Sequence, residues 1–443
     1  MKACLPLIAA FAVALVPFEA AAQAWVTNPD LSEGVGIRAG NLEFHPSLGG
    51  EFGYDSNFFR SSGDGPGEEV IDVFKLRITP SFTVGTLGRE RRNAPTPPSV
   101  VFGAGAHLAY YEVFPAGEEN LEGSNRRNAS IGADAKLNVF PAGKLGFDVH
   151  GAYIRALDTD GSSDDLAGEG FNRGTARGGA GLTWRPGGGL FEWRGGYTLT
   201  YHYFEDEQFD SLANVQHEIN TRGRWRFLPR SALMFDAGYQ FVRYTDDATT
   251  QTDGDAVRAR VGYHGLVTYH LALLGMVGWA SSFYEAQAGR IQPRQFDSIF
   301  GSAEARWFIQ ARPNLDSATI ASGLSSVAVG YTRAFSNSYL GSFYQRDRGY
   351  LQFSMFLLGA VAGGIEFGVS RVAYPEAIAP SGAQTPSFSQ VRLDGRLFGE
   401  YRFTDTLAAN ATLNYDQVNS EEIAAEDLDY RRFQAYIGVR WFM

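Results

Sequence analysis

Aspartate and histidine give the sequence its best candidate for catalytic chemistry. Asp148 and His150 lie two residues apart, which places both side chains on one face of an extended strand. In a nucleophilic triad, a carboxylate orients the imidazole that acts as the base. However, no nearby serine in a recognisable motif completes the pair, and the seven histidines show no His-x-x-x-His spacing. We therefore predict no enzymatic activity, no metal site and no cofactor.

Arginine is the second residue type whose spacing indicates a function. Arg222, Arg224 and Arg226 alternate along one segment, and Arg258 and Arg260 along another, so a strand would bring each set to one face. If that face surrounds a pore, the arginines either favour anionic solutes or pair with carboxylates and stiffen the wall. The sequence leaves both readings open. The predicted pore-lining residues are Lys75, Arg77, Arg194, Arg222, Arg224, Arg226, Arg258, Arg260, Arg392, Arg396, Arg402, Arg440, Glu218, Asp394 and Glu400.

The segments that carry these residues alternate between apolar and polar positions. Phe74, Leu76 and Ile78 share one face of a predicted strand. Lys75 and Arg77 share the other face, and similar alternation recurs along the chain. The runs are about 10–14 residues long, which suits a tilted strand that crosses a membrane. Because backbone groups in hydrocarbon must pair with one another, such strands must close into a barrel.

The fold class that follows is all-β, a transmembrane antiparallel up-and-down β-barrel. We predict about eighteen strands, with sixteen as the alternative. Long acidic connections such as LDTDGSSDDLAGEG and SEEIAAEDLD alternate with short turns such as PAGK and RPGGG. Barrels of this kind have short periplasmic turns and long external loops, so the acidic connections are expected outside. The connections GRERRNAPTPP and ARPNLDSATIASG are long for periplasmic turns.

The N-terminus predicts export from the cytoplasm. Lys2 precedes an apolar run at 5–16 that is too short for a membrane-spanning helix, and Ala22 and Ala24 provide a signal peptidase site. We expect the bacterial outer membrane as the location. The chain is predicted to divide into a signal peptide at 1–24, a short periplasmic N-terminal segment at 25–41 and an outer-membrane β-barrel at 42–443.

The expected partners follow from that location. They are outer-membrane lipid and lipopolysaccharide, together with the barrel-assembly machinery, which reads the last strand. That strand carries Ile437, Val439 and Trp441 on one face, but it ends in Met443 where an aromatic residue is usual. No nucleic-acid partner is expected.

Two stretches of sequence resemble a known family. The opening LEFHPSLGGEFGYDSNFF contains YDSN at 54–57, and the later GYTRAFSNSYLGSFYQRDRGYLQFS contains SYLG followed by RGY. Both resemble the family of β-barrel porins linked to exopolysaccharide export (beta-barrel porin 2-like). The resemblance implies a conduit for a secreted polysaccharide that works with a periplasmic polysaccharide export protein.

Three functions are consistent with the sequence. A barrel of about 16–18 strands leaves an aqueous channel. The first function is the exopolysaccharide conduit that the resemblance implies. The second is a general or anion-preferring diffusion porin, favoured by the arginine-rich face alone. The third is a structural or adhesive surface barrel whose lumen is blocked by loops.

Overall fold

The protein is described here by a computed structural model. It covers residues 36–63, 69–87, 97–117, 126–157, 172–246, 252–284, 295–309, 325–337, 343–357, 360–375, 377–378, 384–385, 387–420 and 429–443. The predicted signal peptide lies outside these residues and stays a prediction. Most of the two long connections GRERRNAPTPP and ARPNLDSATIASG lies outside them as well.

Eighteen long antiparallel strands form the barrel. In chain order they are β1 (Leu42–Asp55), β2 (Val73–Thr86), β3 (Val100–Pro115), β4 (Arg127–Val139), β5 (Leu145–Leu157), β6 (Asn172–Trp184), β7 (Phe191–Phe204), β8 (Asn214–Leu228), β9 (Ser231–Tyr244), β10 (Gly254–Leu266), β11 (Leu271–Tyr284), β12 (Asp297–Phe308), β13 (Ser326–Asn337), β14 (Phe343–Leu357), β15 (Val361–Tyr374), β16 (Phe388–Thr404), β17 (Leu407–Ser420) and β18 (Tyr430–Phe442). The predicted fold class and the count of eighteen are confirmed, and the alternative of sixteen is wrong.

Five short elements accompany the barrel among the described residues. A three-residue strand at Ile37–Ala39 folds back on the start of β1. Two 3-10 turns, Pro186–Gly189 and Glu207–Leu212, precede β7 and β8. A minimal hairpin pairs Ala377–Ile378 with Gln384–Thr385 between β15 and β16.

The barrel closes where the first strand meets the last. Gly50 of β1 lies opposite Ile78 of β2 on one side and opposite Val439 of β18 on the other. Each of the eighteen strands thus has a partner on both edges, so the long strands leave no open sheet edge. Both ends of the described chain lie at the same end of the barrel, which the short turns place on the periplasmic side.

The two faces of the wall differ as the alternation predicts. Apolar side chains such as Phe52, Ile78 and Ile437 are exposed on the outer face, and Ile437 reaches 69% exposure. Such exposure is stable only in an apolar solvent, so the outer face is the lipid-facing surface of an outer-membrane barrel. The intervening positions face the lumen and carry most of the charged side chains of the strands. None of the helices found among the described residues has the length and apolar character needed to cross a membrane.

Candidate functional site

The inner wall is covered by ion pairs between neighbouring and next-nearest strands. Nine of the fifteen residues predicted from the sequence to line a pore are cations or acceptors in seven such pairs, of which Arg402–Glu400 lies within one strand. The pairs are Lys75–Asp55 at 3.2 Å, Arg77–Glu51 at 2.5 Å, Arg194–Asp148 at 2.6 Å, Arg258–Glu218 at 2.6 Å, Arg260–Asp236 at 2.6 Å, Arg392–Asp416 at 2.8 Å and Arg402–Glu400 at 3.3 Å. Paired arginine therefore stiffens much of the wall.

Several ion pairs join two strands that are separated by a third strand. They can form because the strand between them has a glycine at the point where the side chains pass over it. Arg194 of β7 binds Asp148 of β5 by passing over Gly181 of β6, where a Cβ atom would collide with the guanidinium. Arg348 of β14 reaches Asp394 of β16 over Gly368 in the same way. These glycines are needed for close approach, which explains glycine inside strands that otherwise disfavour it.

A basic row on β8 differs from the rest of the wall. It consists of Arg222, Arg224 and Arg226. Among the described residues, only Arg224 has a carboxylate within 4.0 Å, with its Nη2 atom 3.6 Å from Glu192. That carboxylate is held more closely by Arg185, at 2.7 Å. Among the residues that the structure covers, Arg222 and Arg226 have no ion-pair partner within 4.0 Å. The basic row is therefore a local excess of positive charge.

The contacts of Asp236 explain why the positive charge of the basic row is not neutralised. It lies directly opposite Arg222 in the register of β8 and β9. Its Oδ2 atom instead accepts a hydrogen bond of 2.6 Å from Arg260 on the following strand. Among the described residues, Glu192 is thus the one carboxylate within 4.0 Å of the basic row, and Arg224 shares it with Arg185. The sequence did not single out Arg185, because it follows β6 in a short turn.

The seam between β1 and β18 contains a fully buried charge cluster. Asp55 is 0% exposed, and it accepts two hydrogen bonds from the Arg432 guanidinium, at 2.8 and 2.6 Å. Lys75 Nζ lies 3.2 Å from the same carboxylate, and Gln434 donates to it at 2.9 Å. Lys75 and Arg432 are each 3% exposed, so the Asp55 carboxylate is bound by two buried cations.

The chain that follows β1 folds against the inner wall above this cluster. In segment 56–63, Phe58 is completely buried against Val73 and Val113, which are lumen-facing residues of β2 and β3. Lys75 Nζ lies 4.7 Å from the centre of the Phe58 ring, a cation–π contact. Asn57 closes the turn, because its side chain donates to Ser61 O and accepts from Ser61 N. The first external connection thus begins inside the lumen.

A second charge cluster lies at the periplasmic end. Glu400 of β16 accepts hydrogen bonds from Arg402 at 3.3 Å and from Arg440 of β18. Both guanidiniums also lie over the Phe442 ring, at 4.5 and 5.4 Å from its centre. The link from β16 to β18 passes over Ala408 of β17, which is 0% exposed. The sequence placed Glu400, Arg402 and Arg440 on the lumen face without pairing them.

The candidate catalytic pair has a different structural role. His150 Nδ1 lies 3.7 Å from Asp148, whose two oxygens both accept hydrogen bonds from Arg194. A carboxylate held by a guanidinium is not oriented to assist an imidazole base. Among the described residues, no group of three or more His, Cys, Asp or Glu is arranged to hold a metal ion.

Comparison with known proteins bears on the fold. No protein family and no curated protein matches the sequence. The barrel is similar to the FrpB iron transporter of Neisseria meningitidis in its apoprotein form, with a TM-score of 0.50 and 8% identity over 92% of this chain and 82% of that chain. It is also similar to OpdK of Pseudomonas aeruginosa, solved with vanillate, with a TM-score of 0.48 and 13% identity over 90% and 99% of the two chains. The likeness to FrpB shows the fold alone. The fold and its apolar belt define a transmembrane β-barrel of the bacterial outer membrane.

Proposed function

We propose that this barrel is an outer-membrane channel that favours anionic solutes. The observation that carries the proposal is the basic row, where Arg222 and Arg226 lack ion-pair partners among the described residues. Arginine or lysine that lines a pore attracts anions and repels cations. Most other lumen arginines are paired, so the preference is expected to arise locally rather than from the wall as a whole.

Reversing the charge of the basic row is expected to shift selectivity towards cations. In planar bilayers with a KCl gradient, the chloride-to-potassium permeability ratio of Arg222→Glu/Arg226→Glu should fall several-fold below that of the wild type. The shift should be largest at 0.1 M salt, where the Debye length is about 10 Å, and smaller at 1 M, where it is about 3 Å. The measurement is the reversal potential at both salt concentrations.

Arg431→Glu provides the matched control, because Arg431 is an exposed residue of β18 on the outer face. This single reversal should leave the permeability ratio unchanged. An unchanged ratio in the double variant would mean that the basic row only stiffens the wall. Absence of any conductance in the wild type would favour a structural or adhesive barrel with a blocked lumen.

A conduit for secreted exopolysaccharide is the second candidate. Its support is that the YDSN residues, which carry the family resemblance, form one structural unit. Tyr54 donates to Asp72 at 2.8 Å, Asp55 binds Arg432, and Ser56 and Asn57 bond to the backbone of β18. The unit positions segment 56–63 within the lumen. A periplasmic polysaccharide export protein would be the partner, and the polymer would be the cargo.

Deletion of the gene tests the conduit directly. We expect surface and extracellular polysaccharide to be lost while its precursors are still made, because a polymer without an outer-membrane path remains in the cell. The assay compares a clean deletion strain with the same strain complemented by the intact gene. Normal polysaccharide in the deletion strain would exclude the conduit and leave the diffusion channel.

A further inference from the structure

The outer face of the barrel changes from apolar to charged near its external end. In the apolar belt, exposed side chains such as Val329, Leu351 and Val369 face the lipid. Above the belt, the same face carries four ion pairs: Arg127–Glu112 at 2.9 Å, Arg155–Glu205 at 2.5 Å, Arg243–Asp255 at 2.8 Å and Arg333–Asp347 at 2.5 Å. Charged side chains directly above an apolar belt lie at the level of the lipid headgroups, here those of the external leaflet.

At this level, two arginines lie opposite one carboxylate. Asp347 of β14 faces Arg333 of β13 on one side and Arg371 of β15 on the other. All three residues have the same parity as the lipid-facing residues of their strands, so all three lie on the outer face. Since β13 and β15 both neighbour β14, the Cα atoms of the two arginines are roughly 10 Å apart.

The contacts of Asp347 involve Arg333 rather than Arg371. Its Oδ1 atom accepts hydrogen bonds from Arg333 Nε at 2.5 Å and from the Tyr331 hydroxyl, and its Oδ2 atom accepts one of 2.8 Å from Gln345. Arg371 is exposed, and no carboxylate of the described residues lies within 4.0 Å of its guanidinium. The Arg371 guanidinium can therefore bind an anionic lipid headgroup from the side of the membrane.

A depression of about 440 Å³ lies beside Arg371 at the external end of β14, β15 and β16. Gln345, Ser387 and Ser389 line it with an amide and two hydroxyls, which can hydrogen-bond phosphate oxygens or sugar hydroxyls. Asp297 lines it as well, and its carboxylate accepts a hydrogen bond from Trp279 on β11. The depression thus offers polar groups to a headgroup that Arg371 binds.

The residues below Arg371 suit the apolar part of such a lipid. Phe367 and Val369 follow on the same face of β15 and are exposed, so acyl chains would lie against them. Arginine binds phosphate through two parallel hydrogen bonds, which makes phosphate the anion that best fits an exposed guanidinium here. We propose that Arg371, with Arg333 beside it, forms a lipid-facing site for a phosphate group of lipopolysaccharide. The site lies outside the lumen and is independent of what the channel conducts.

Lipid binding to the detergent-refolded full barrel tests this site. Native mass spectrometry compares diphosphorylated lipid A with the same lipid A after removal of its phosphates, and the phosphorylated form should bind more tightly. Arg371→Gln should weaken binding of the phosphorylated form by about tenfold or more, because a charge-assisted hydrogen bond is lost. Arg371→Lys keeps the charge without the two parallel hydrogen bonds and should bind with intermediate affinity. Arg333→Gln should have a smaller effect, because Arg333 already donates to Asp347.

Arg127→Gln is the matched control, since Arg127 is an exposed outer-face arginine above the belt whose Nε and Nη2 atoms both donate to Glu112. It should bind phosphorylated lipid A like the wild type. Equal affinity of the wild type for both forms of lipid A, or equal losses in Arg127→Gln and Arg371→Gln, would overturn the site. Inorganic phosphate distinguishes a lipid from a free anion. Displacement of lipid A by an equal concentration of inorganic phosphate would contradict a lipid site, whereas retention of lipid A supports it.

Discussion

Asp55→Ala is expected to destabilise the barrel by about 3–5 kcal/mol, because removing one partner of a buried ion pair leaves the other charge uncompensated. Here two cations would lose this partner, since Lys75 and Arg432 share the Asp55 carboxylate and are almost fully buried. Segment 56–63 should also detach from the wall, because Asn57 and the Phe58–Lys75 contact both depend on this cluster. The variant should therefore be less stable and conduct more.

Two measurements check this expectation. Urea unfolding of the refolded barrel, followed by tryptophan fluorescence, gives the free energy of unfolding. Single-channel recording gives the conductance, which should rise if the segment leaves the lumen. The control is Asp297→Ala, which removes an exposed outer-face carboxylate that accepts a hydrogen bond of 2.5 Å from Trp279 Nε1. A single exposed hydrogen bond is worth about 1 kcal/mol, and the lumen is untouched.

The free energy of unfolding and the conductance together distinguish two roles of the charge cluster around Asp55. Lower stability with unchanged conductance would mean that the cluster holds the strands while the segment stays in place. Unchanged stability and conductance would contradict the role given to Asp55. Asp55→Asn is a useful intermediate, because the amide oxygen can still accept a hydrogen bond while the negative charge is gone.

The fold could be predicted because it depends on a local pattern. Period-two alternation is visible within each strand, and the length of the runs distinguishes a membrane barrel from a soluble sandwich. The strand count followed from counting such runs. The lumen pairings did not, because a pair such as Arg194 with Asp148 skips a strand and depends on a glycine between them. Period-two patterns give the face of a residue but not its partner two strands away.

The seam was beyond the reach of sequence patterns for a second reason. Asp55 and Arg432 are separated by 377 residues and meet only when the barrel closes. Segment 56–63 belongs to the stretch DSNFFRSSGDGPGEEVID at 55–72, whose serine, glycine and acidic residues predict an external loop. One signal was present, however. Phe58 and Phe59 are adjacent in that polar stretch, and two large apolar rings in a loop need a surface to cover them.

Arg432 and Glu51 could have been added to the predicted lumen face. Arg432 has the same parity as Arg440, which was assigned to the lumen face, and Glu51 has the opposite parity to the lipid-facing Phe52. With these two residues included, the predicted lumen face would have contained the Arg432 side chain that binds Asp55 and the Glu51 side chain that binds Arg77. The omission shows that alternation must be applied to whole strands, including residues near their external ends.

Glu400→Ala is the second variant for which we expect a large effect. Glu400 has a side chain only 1% exposed and balances two guanidiniums, of which Arg402 is 4% exposed. Removing the carboxylate should cost about 3–5 kcal/mol of unfolding free energy, because both cations would remain at the periplasmic end without it. Urea unfolding provides the measurement, and the loss should be accompanied by a lower temperature for the gel shift of the folded barrel.

The burial of Glu400 accounts for the large expected loss of stability. A more exposed ion pair, Glu218 with Arg258, tests this explanation. Glu218 also binds one lumen arginine, Arg258, but their side chains are 21% and 49% exposed. Exposed ion pairs contribute about 0–1 kcal/mol, so Glu218→Ala should have little effect. The double variant Glu400→Gln/Arg440→Gln should recover part of the stability lost in Glu400→Gln, because it removes one of the two cations that lose the Glu400 carboxylate. Equal costs for Glu218→Ala and Glu400→Ala would show that water reaches both sites alike, and that burial does not set the strength of these pairs.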